Sequence, residues 1–172
     1  MKYFIGRTFA YIIDCLIAFA LVMLVIQWGI LSHLRESIGI KDAWFQSSMN
    51  MQLYVLTTIS IPVWMYFAYF DSKKSKGTFG KRLFKLKVKD NKNQKIKFGK
   101  SLLRTILKLL PWEIAHIGVI FPTPLYYMNE PDFRILPIVG LTLFAIYVIS
   151  IWTDSRNRTL YDRMIETIVE KE

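Results

Sequence analysis

Four apolar blocks divide the chain: about Thr8 to Leu31, Met51 to Phe70, Leu102 to Phe121 and Ile135 to Thr153. At 1.5 Å per residue the first reaches roughly 35 Å, enough to cross a hydrocarbon core of about 30 Å with some tilt. The pattern predicts an all-α membrane protein, a four-transmembrane-helix bundle forming one domain over residues 1–172. The first block is longer than the roughly 7–15 residues of a signal-peptide core, and no small-x-small site follows it, so it reads as a retained span. Aromatic residues Trp64, Tyr66, Phe67, Tyr69 and Phe70 crowd the end of the second block, as interface anchors do. The third block holds Pro111, which predicts a kink, and enters the membrane near Arg104, because residues 112–121 alone are too short to cross.

The polar stretches differ in kind. Residues 32–50 read as a nearly neutral loop in which Arg35 and Lys41 offset Glu36 and Asp42, with His33 solvated. In the basic segment, 71–101, Phe84, Leu86 and Val88 alternate with Lys85, Lys87 and Lys89. Asp90-Asn91-Lys92-Asn93-Gln94 is turn chemistry, and Ile96 and Phe98 resume the alternation, so a small cytoplasmic β-hairpin is expected. A lone hairpin is marginal in water, so it needs a third strand or the membrane surface. The tail, 154–172, ends in Thr167-Ile168-Val169, a plausible strand. No internal repeat of useful length is visible.

Composition sharpens this picture at two points. The chain is 53% hydrophobic and carries a net charge of +10. Of its 23 Lys and Arg, only Arg35, Lys41 and Arg134 fall in the two stretches that four spans would place outside. The positive-inside rule then predicts a multi-pass protein of the cell membrane with cytoplasmic N- and C-termini and a cytoplasmic basic segment. Lysines flanking spans are expected in a membrane protein, so anionic lipid headgroups are the expected partner of the basic face and nucleic acid is not. The single cysteine, Cys15, excludes an internal disulfide and reads as a small packing residue.

Candidate chemistry begins with an aspartate inside the first span. Arg7, Ala10 and Asp14 share one helix face, and small Ala10 leaves room for another chain to approach. Asp14 has three readings: a buried ion-pair partner, a proton- or cation-binding carboxylate, or a wet residue near the interface. Because Arg7 lies two turns away, the candidate partners are Arg104 and Lys108 first, then Arg7 and tail arginines such as Arg156 and Arg158. Thr159-x-x-Asp162 has capping-box spacing, and Asp162 alternatively pairs with a nearby base such as Arg156, Arg158 or Arg163. Glu113 and His116, three apart, could relay protons with Asp14 but are too few for a metal site. Thr78-Phe79-Gly80-Lys81 lacks the glycine and hydroxyl of a phosphate loop. No nucleophile–base set appears, so no enzyme activity, cofactor or metal is expected.

Arg7-x-x-Ala10-x-x-Ile13-Asp14 resembles the opening of the RDD family of membrane proteins, named for an arginine and two aspartates. Thr78-Phe79-Gly80-Lys81-Arg82-Leu83 with Leu86-Lys87-Val88 resembles that family's loop after the second span, and Leu102-Leu103-Arg104 the start of its next helix. Thr159-Leu160-Tyr161-Asp162 resembles its closing motif, which carries the second aspartate. Tyr161 stands where that motif usually has His, and Ile165-Glu166 where it has Ala-Gly. The resemblance implies an integral membrane protein for which transport has been proposed. With the intramembrane carboxylate, it points to movement of protons or small cations, by a homo-oligomer because four short spans make a small bundle. The alternative is a non-transporting membrane scaffold or assembly protein whose basic cytoplasmic face recruits lipid or a partner.

Overall fold

The computed structural model describes residues 2–130 and 132–171, apart from the side chains of residues 2–4 and 36. Glu36 of the neutral stretch, and residues 131 and 172 of the last connection and the tail, lie outside that description. Helix α1 (Lys2–Ala20) continues through a π-helical stretch, Leu21–Leu31, into α2 (Ser32–Ser37). A single turn, α3 (Asp42–Phe45), precedes α4 (Ser48–Val55), which continues through π-helical Leu56–Ser60 into α5 (Ile61–Asp71). Residues 32–50 are therefore mostly helix rather than loop. The short helix α6 (Phe79–Leu83) leads into strand β1 (Leu86–Asp90), followed by α7 (Phe98–Ile120), α8 (Ile135–Ser150), α9 (Leu160–Met164) and β2 (Thr167–Lys171).

Three helical runs are long and apolar enough to cross a membrane: Ile5–Arg35, Ser48–Asp71 and Phe98–Tyr127. The fourth apolar block forms a helix of 16 residues, roughly 24 Å long and shorter than the hydrocarbon core. It stops at Ser150 because the chain beyond is tied down there. Ser150 Oγ accepts from Leu160 N at 2.8 Å, and Arg163 donates to the Ser150 carbonyl. By length and composition three helices qualify as spans, and the block expected to form the fourth is a shorter apolar helix. The starts of α1 and α7 and the ends of α5 and α8 meet at one end of the bundle, together with the sheet and the tail.

The bundle is apolar outside and polar within. Leu16, Phe19, Leu24 and Trp28 on the first helical run and Leu141 and Ile149 on α8 are exposed, whereas Arg7, Asp14, Asp71, Arg104, Lys108 and Asp162 are buried. That inversion suits a lipid solvent. Along α1 the buried stripe is Arg7, Ala10, Asp14 and Ala18, a spacing that keeps one face inward. Cys15 packs beside Ala18, Phe67 and Leu109.

Pro111 does not end α7, which runs on to Ile120. Proline cannot donate to the carbonyl four residues back, and Tyr147 on α8 supplies the missing donor: its hydroxyl bonds Leu107 O at 3.0 Å. At Gly140 α8 approaches so closely that a Cβ would sit 2.5 Å from Pro111 O. At the far end of α7, Arg134 Nη1 donates to the carbonyls of Gly118, Val119 and Phe121 at 3.2, 2.9 and 2.9 Å, the groups a helix C-terminus leaves without partners.

The sheet differs from the expected hairpin. β1 pairs antiparallel with β2, the tail, in the register Leu86↔Lys171, Val88↔Val169 and Asp90↔Thr167. Residues 95–98 contribute one isolated bridge, Lys89↔Lys95, and Phe98 opens α7 instead of extending a strand. Alternation alone could not tell a local return strand from a distant one.

An internal repeat is present after all. Residues 78–88 and 159–169 each form a threonine, a five-residue helix, a residue with left-handed backbone and a strand. The left-handed residues are Lys85 (φ 55°) and Glu166 (φ 52°), at equivalent places. Thr78, Arg82 and Val88 recur as Thr159, Arg163 and Val169, while Leu83 and Phe84 become Met164 and Ile165. Val88 pairs directly with Val169, so the two units are related by a local two-fold axis through that pair. Too few identities survive, 81 positions apart, for the sequence pattern alone to show them.

Replacing Tyr147 with Phe should strand the Leu107 carbonyl and cost about 1–3 kcal/mol, read as a lower detergent melting temperature. In a Pro111→Ala background residue 111 regains its N–H, and the same change should cost much less. Equal losses in both backgrounds would show that Tyr147 does not serve that carbonyl.

Candidate functional site: a buried ion-pair clamp at one end of the bundle

Asp162 sits at the third position of α9, where Thr159 opens the helix with a capping box. The Thr159 hydroxyl accepts from Asp162 N at 3.3 Å, and Asp162 Oδ2 accepts from Thr159 N at 3.4 Å. The same carboxylate leaves the local motif and takes two guanidinium groups: Arg7 Nη2 at 2.8 Å and Arg104 at 2.8 Å. The Thr159 and Thr167 hydroxyls add bonds of 2.8 and 3.0 Å. Capping and pairing, alternatives for a lone motif, are both performed by one side chain.

Arg104 carries the network on. Its Nη1 donates to Asp71 Oδ2 at 3.0 Å, and the other Asp71 oxygen pairs with Lys81 Nζ. The chain of charges therefore runs Arg7, Asp162, Arg104, Asp71, Lys81. It links the start of α1, α9, the start of α7, the end of α5 and α6. Only the planar fork of arginine reaches two carboxylates this way. Burial alone would raise the Asp162 carboxyl, but Arg104 and then Arg7 outweigh it and hold it well below the usual carboxylate range. Burial keeps Lys81 below the usual lysine value even with Asp71 beside it. Tyr161, at the position expected to hold His, lies under Arg104 with the guanidinium 5.2 Å from its ring centroid.

Asp14 is buried, but its partner is not a base. Its carboxylate accepts from Thr78 Oγ1 at 2.5 Å and from Gly80 N at 2.7 Å. It thereby caps α6 from another helix, as Asp162 caps α9 from within. At the position of Asp162 the first unit has Lys81, so the carboxylate must come from elsewhere. Ala10 leaves the room expected of it, and α6 of the same chain fills it: a Cβ on Gly80 would lie 2.3 Å from Ala10 O. Arg104 and Lys108, first in line for Asp14, are committed elsewhere. Lys108 Nζ lies over the rings of Tyr11 and Phe67, 4.7 and 3.5 Å from their centroids.

The tail arginines do not join the clamp. Arg158 pairs with Asp154 at 3.1 Å, and the backbone N–H groups of Arg156 and Arg158 bond the same carboxylate. Those bonds, the Arg158 side chain foremost, bring Asp154 down to about 2. Arg163 turns to Ser150, Thr153 and Asp154. The loop from Asp154 to Arg158 is thus a local structure of its own, which holds these bases away from Asp162.

A second polar group lies deeper. Glu113 Oε2 accepts from Ser60 Oγ at 3.0 Å and stands 3.8 Å from His116 Nδ1. Glu113 follows Arg104 by nine residues on α7, about 14 Å along the axis, so the pair does not meet Asp14. Polar groups also bond across the two π-helical stretches and α4: Gln27 Nε2 donates to Thr58 Oγ1 at 2.9 Å, and the Tyr54 hydroxyl donates to Gln27 Oε1. Asp71 and Gln27 were not singled out by sequence pattern, and Lys81 entered only as part of the Thr78–Leu83 motif, with no partner assigned. The signal for Asp71 was its place at the end of an apolar block, within reach of the Lys81 motif.

Asp162→Asn should lower the detergent melting temperature strongly, since breaking a buried pair costs about 3–5 kcal/mol. The pH dependence has a definite sign. A carboxyl depressed in the folded state stabilises fully above its unfolded pKa of about 3.9 and loses that contribution as pH falls through the folded value. The wild-type melting temperature should therefore fall on acidification below about pH 4, and the Asp162→Asn curve should be flatter there. Parallel curves would remove Asp162 from the clamp.

Comparison with curated proteins and with solved structures returned no match. The family model for the RDD family matches residues 4–166, a stretch that holds Arg7, Asp14 and Asp162 and both α–β units. With three helices fit to cross a membrane and that match over nearly its whole length, the chain is an integral membrane protein and belongs to the RDD family.

Proposed function

We propose that this protein moves protons or small monovalent cations across the cell membrane, with Glu113 and His116 as the exchanging groups. The observation that carries the reading is the Glu113 site. A carboxylate in the middle of α7 is held by a single hydroxyl, Ser60, across a helix interface, and beside it His116 Nδ1 is buried with no hydrogen-bond partner. Ionisable groups at that depth are costly and mark ion pathways or proton relays. The clamp, by contrast, is saturated with partners and serves as the frame. In this reading α8 is a fourth, short crossing that thins the bilayer locally, both termini are cytoplasmic, and copies assemble to complete the pathway.

A second reading has one observation behind it. Lys73, Lys74, Lys76, Lys92, Lys95 and Lys97 are exposed around the sheet. Such a face attracts anionic lipid at about 1 kcal/mol per charge near the surface, or an acidic partner, and suits a scaffold that transports nothing.

Proteoliposomes separate the two. Cation or proton flux in the intact protein should fall at least about tenfold in Glu113→Gln, with the melting temperature changed little. Flux unaffected by Glu113→Gln and His116→Asn would remove the exchanging site, and no flux for any ion would leave the scaffold. Topology is checked independently. Cysteines placed at Ser47 and Asn129 should react with an impermeant reagent outside intact cells, whereas cysteines at Ser75 and Ser155 should not; the opposite labelling would reverse the orientation.

A further inference from the structure

α1 packs on α5 and α6, whereas α8 packs on α7 and α9. The two meet where Tyr11 stacks on Phe144, along a seam between the halves of the molecule. Beneath the sheet that seam holds a cavity of about 100 Å³, and its lining includes Arg7, Lys81, Arg104, Lys108 and Asp14. Part of its lining is apolar: Phe144, Val148 and Ile151 of the α8 side, opposite Tyr11 of α1. Tyr11 and Phe144 stack with ring centroids 6.5 Å apart, and Trp112 Nε1 donates to the Tyr11 hydroxyl at 3.1 Å.

The charges around the cavity do not balance. Four cations, Arg7, Lys81, Arg104 and Lys108, meet three carboxylates, Asp14, Asp71 and Asp162. The surplus falls on Lys108. Its residue is only 6% exposed, and among the described residues no carboxylate lies within ion-pair distance of its ammonium. The faces of Tyr11 and Phe67 offset part of that deficit. A buried ammonium without an anion is costly, and here the missing anion has a space beside it.

We propose that this seam binds one anionic phospholipid, whose phosphate takes Lys108 and the outward edges of the arginines while its chains leave between α1 and α8. The apolar lining argues for a lipid over a soluble anion, because a diffusible phosphate gains nothing from Phe144, Val148 and Ile151. The level of the cavity fits as well. It lies at the end of the bundle where the spans, the sheet and the basic segment meet. The site is separate from Glu113 and stands whether or not the protein moves ions.

Native mass spectrometry of the full chain in neutral detergent tests it directly. The solution carries about 0.5 M salt, where surface attraction is screened within a few ångströms. One phosphatidylglycerol per chain should be retained, about tenfold more tightly than phosphatidylcholine. Lys108→Met should abolish that preference and Lys108→Arg should keep it. Equal retention of the two lipids by the wild type, or a preference unchanged in Lys108→Met, would overturn the site. Inorganic phosphate that displaces the lipid with the same Lys108 dependence would overturn the bilayer as the source. Should Lys108→Met fail to fold, the two-lipid comparison on the wild type still decides.

Discussion

The structure depends on one carboxylate held between two arginines. Asp162 belongs to the tail, Arg7 to the first helix and Arg104 to the third span, and no two of them are near in sequence. Removing Asp162 from that position would leave two buried guanidinium groups facing each other in a low-dielectric site, where like charges repel strongly. The pair geometry therefore selects one arrangement of the helix ends. It also explains why the tail returns to the bundle: α9 must dock for its capping carboxylate to reach the arginines, and that docking delivers β2 to β1. The sheet is a consequence of the clamp more than a cause of it, since two short strands are marginal alone.

The halves of the chain solve one problem twice, with different chemistry. Each short helix begins at a threonine whose hydroxyl bonds a carboxylate, and each ends in a left-handed residue before its strand. In the second half the carboxylate is intrinsic, Asp162. In the first half that position is Lys81, and Asp14 reaches over from α1. The swap puts a cation where its counterpart has an anion, and Lys81 and Asp162 are then joined through Asp71 and Arg104 in one alternating row that ends at Arg7. The two aspartates of the RDD family thus do equivalent local work, each holding the start of a short helix, while differing in what else they touch. A family named for three residues is, in this chain, organised by a row of five charges, Arg7, Asp162, Arg104, Asp71 and Lys81, with Asp14 holding α6 beside it.

What could be read beforehand followed from spacing within one element. The stripe of Arg7, Ala10 and Asp14, the burial of Asp14, the capping box at Thr159 and the strand character of 86–88 and 167–169 are all local consequences of helix or strand period. What could not be read depended on which distant element arrived. Asp14 is satisfied by a hydroxyl and a backbone N–H, and a glycine N–H carries no mark in sequence. The Asp154 to Arg158 loop absorbs its own arginines, so proximity in sequence to Asp162 was misleading. The length of α8 was overestimated because Ile151, Trp152 and Thr153 are apolar enough to continue a helix, and only the bonds from Leu160 and Arg163 to Ser150 end it.

Glu166 shows how a departure from the family pattern can be understood physically. Its backbone is left-handed, a conformation glycine adopts freely and an L-residue with a side chain adopts at a cost of about 1–2 kcal/mol. A glycine at this place would make the turn from α9 into β2 without that cost. Lys85 makes the same turn from α6 into β1 and meets the same cost, so the fold tolerates a side chain there twice. The tolerance has a source. The residue after each turn begins a strand whose pairing is set by the opposite unit, and the helix before each is pinned by a buried carboxylate. With both ends of the turn held, the intervening residue has no choice of backbone, and the strain is offset by contacts that the clamp already secures. Position 166 is thereby freed for a charged, exposed side chain, while the backbone carbonyl of Glu166 accepts from Lys100 Nζ at 3.3 Å.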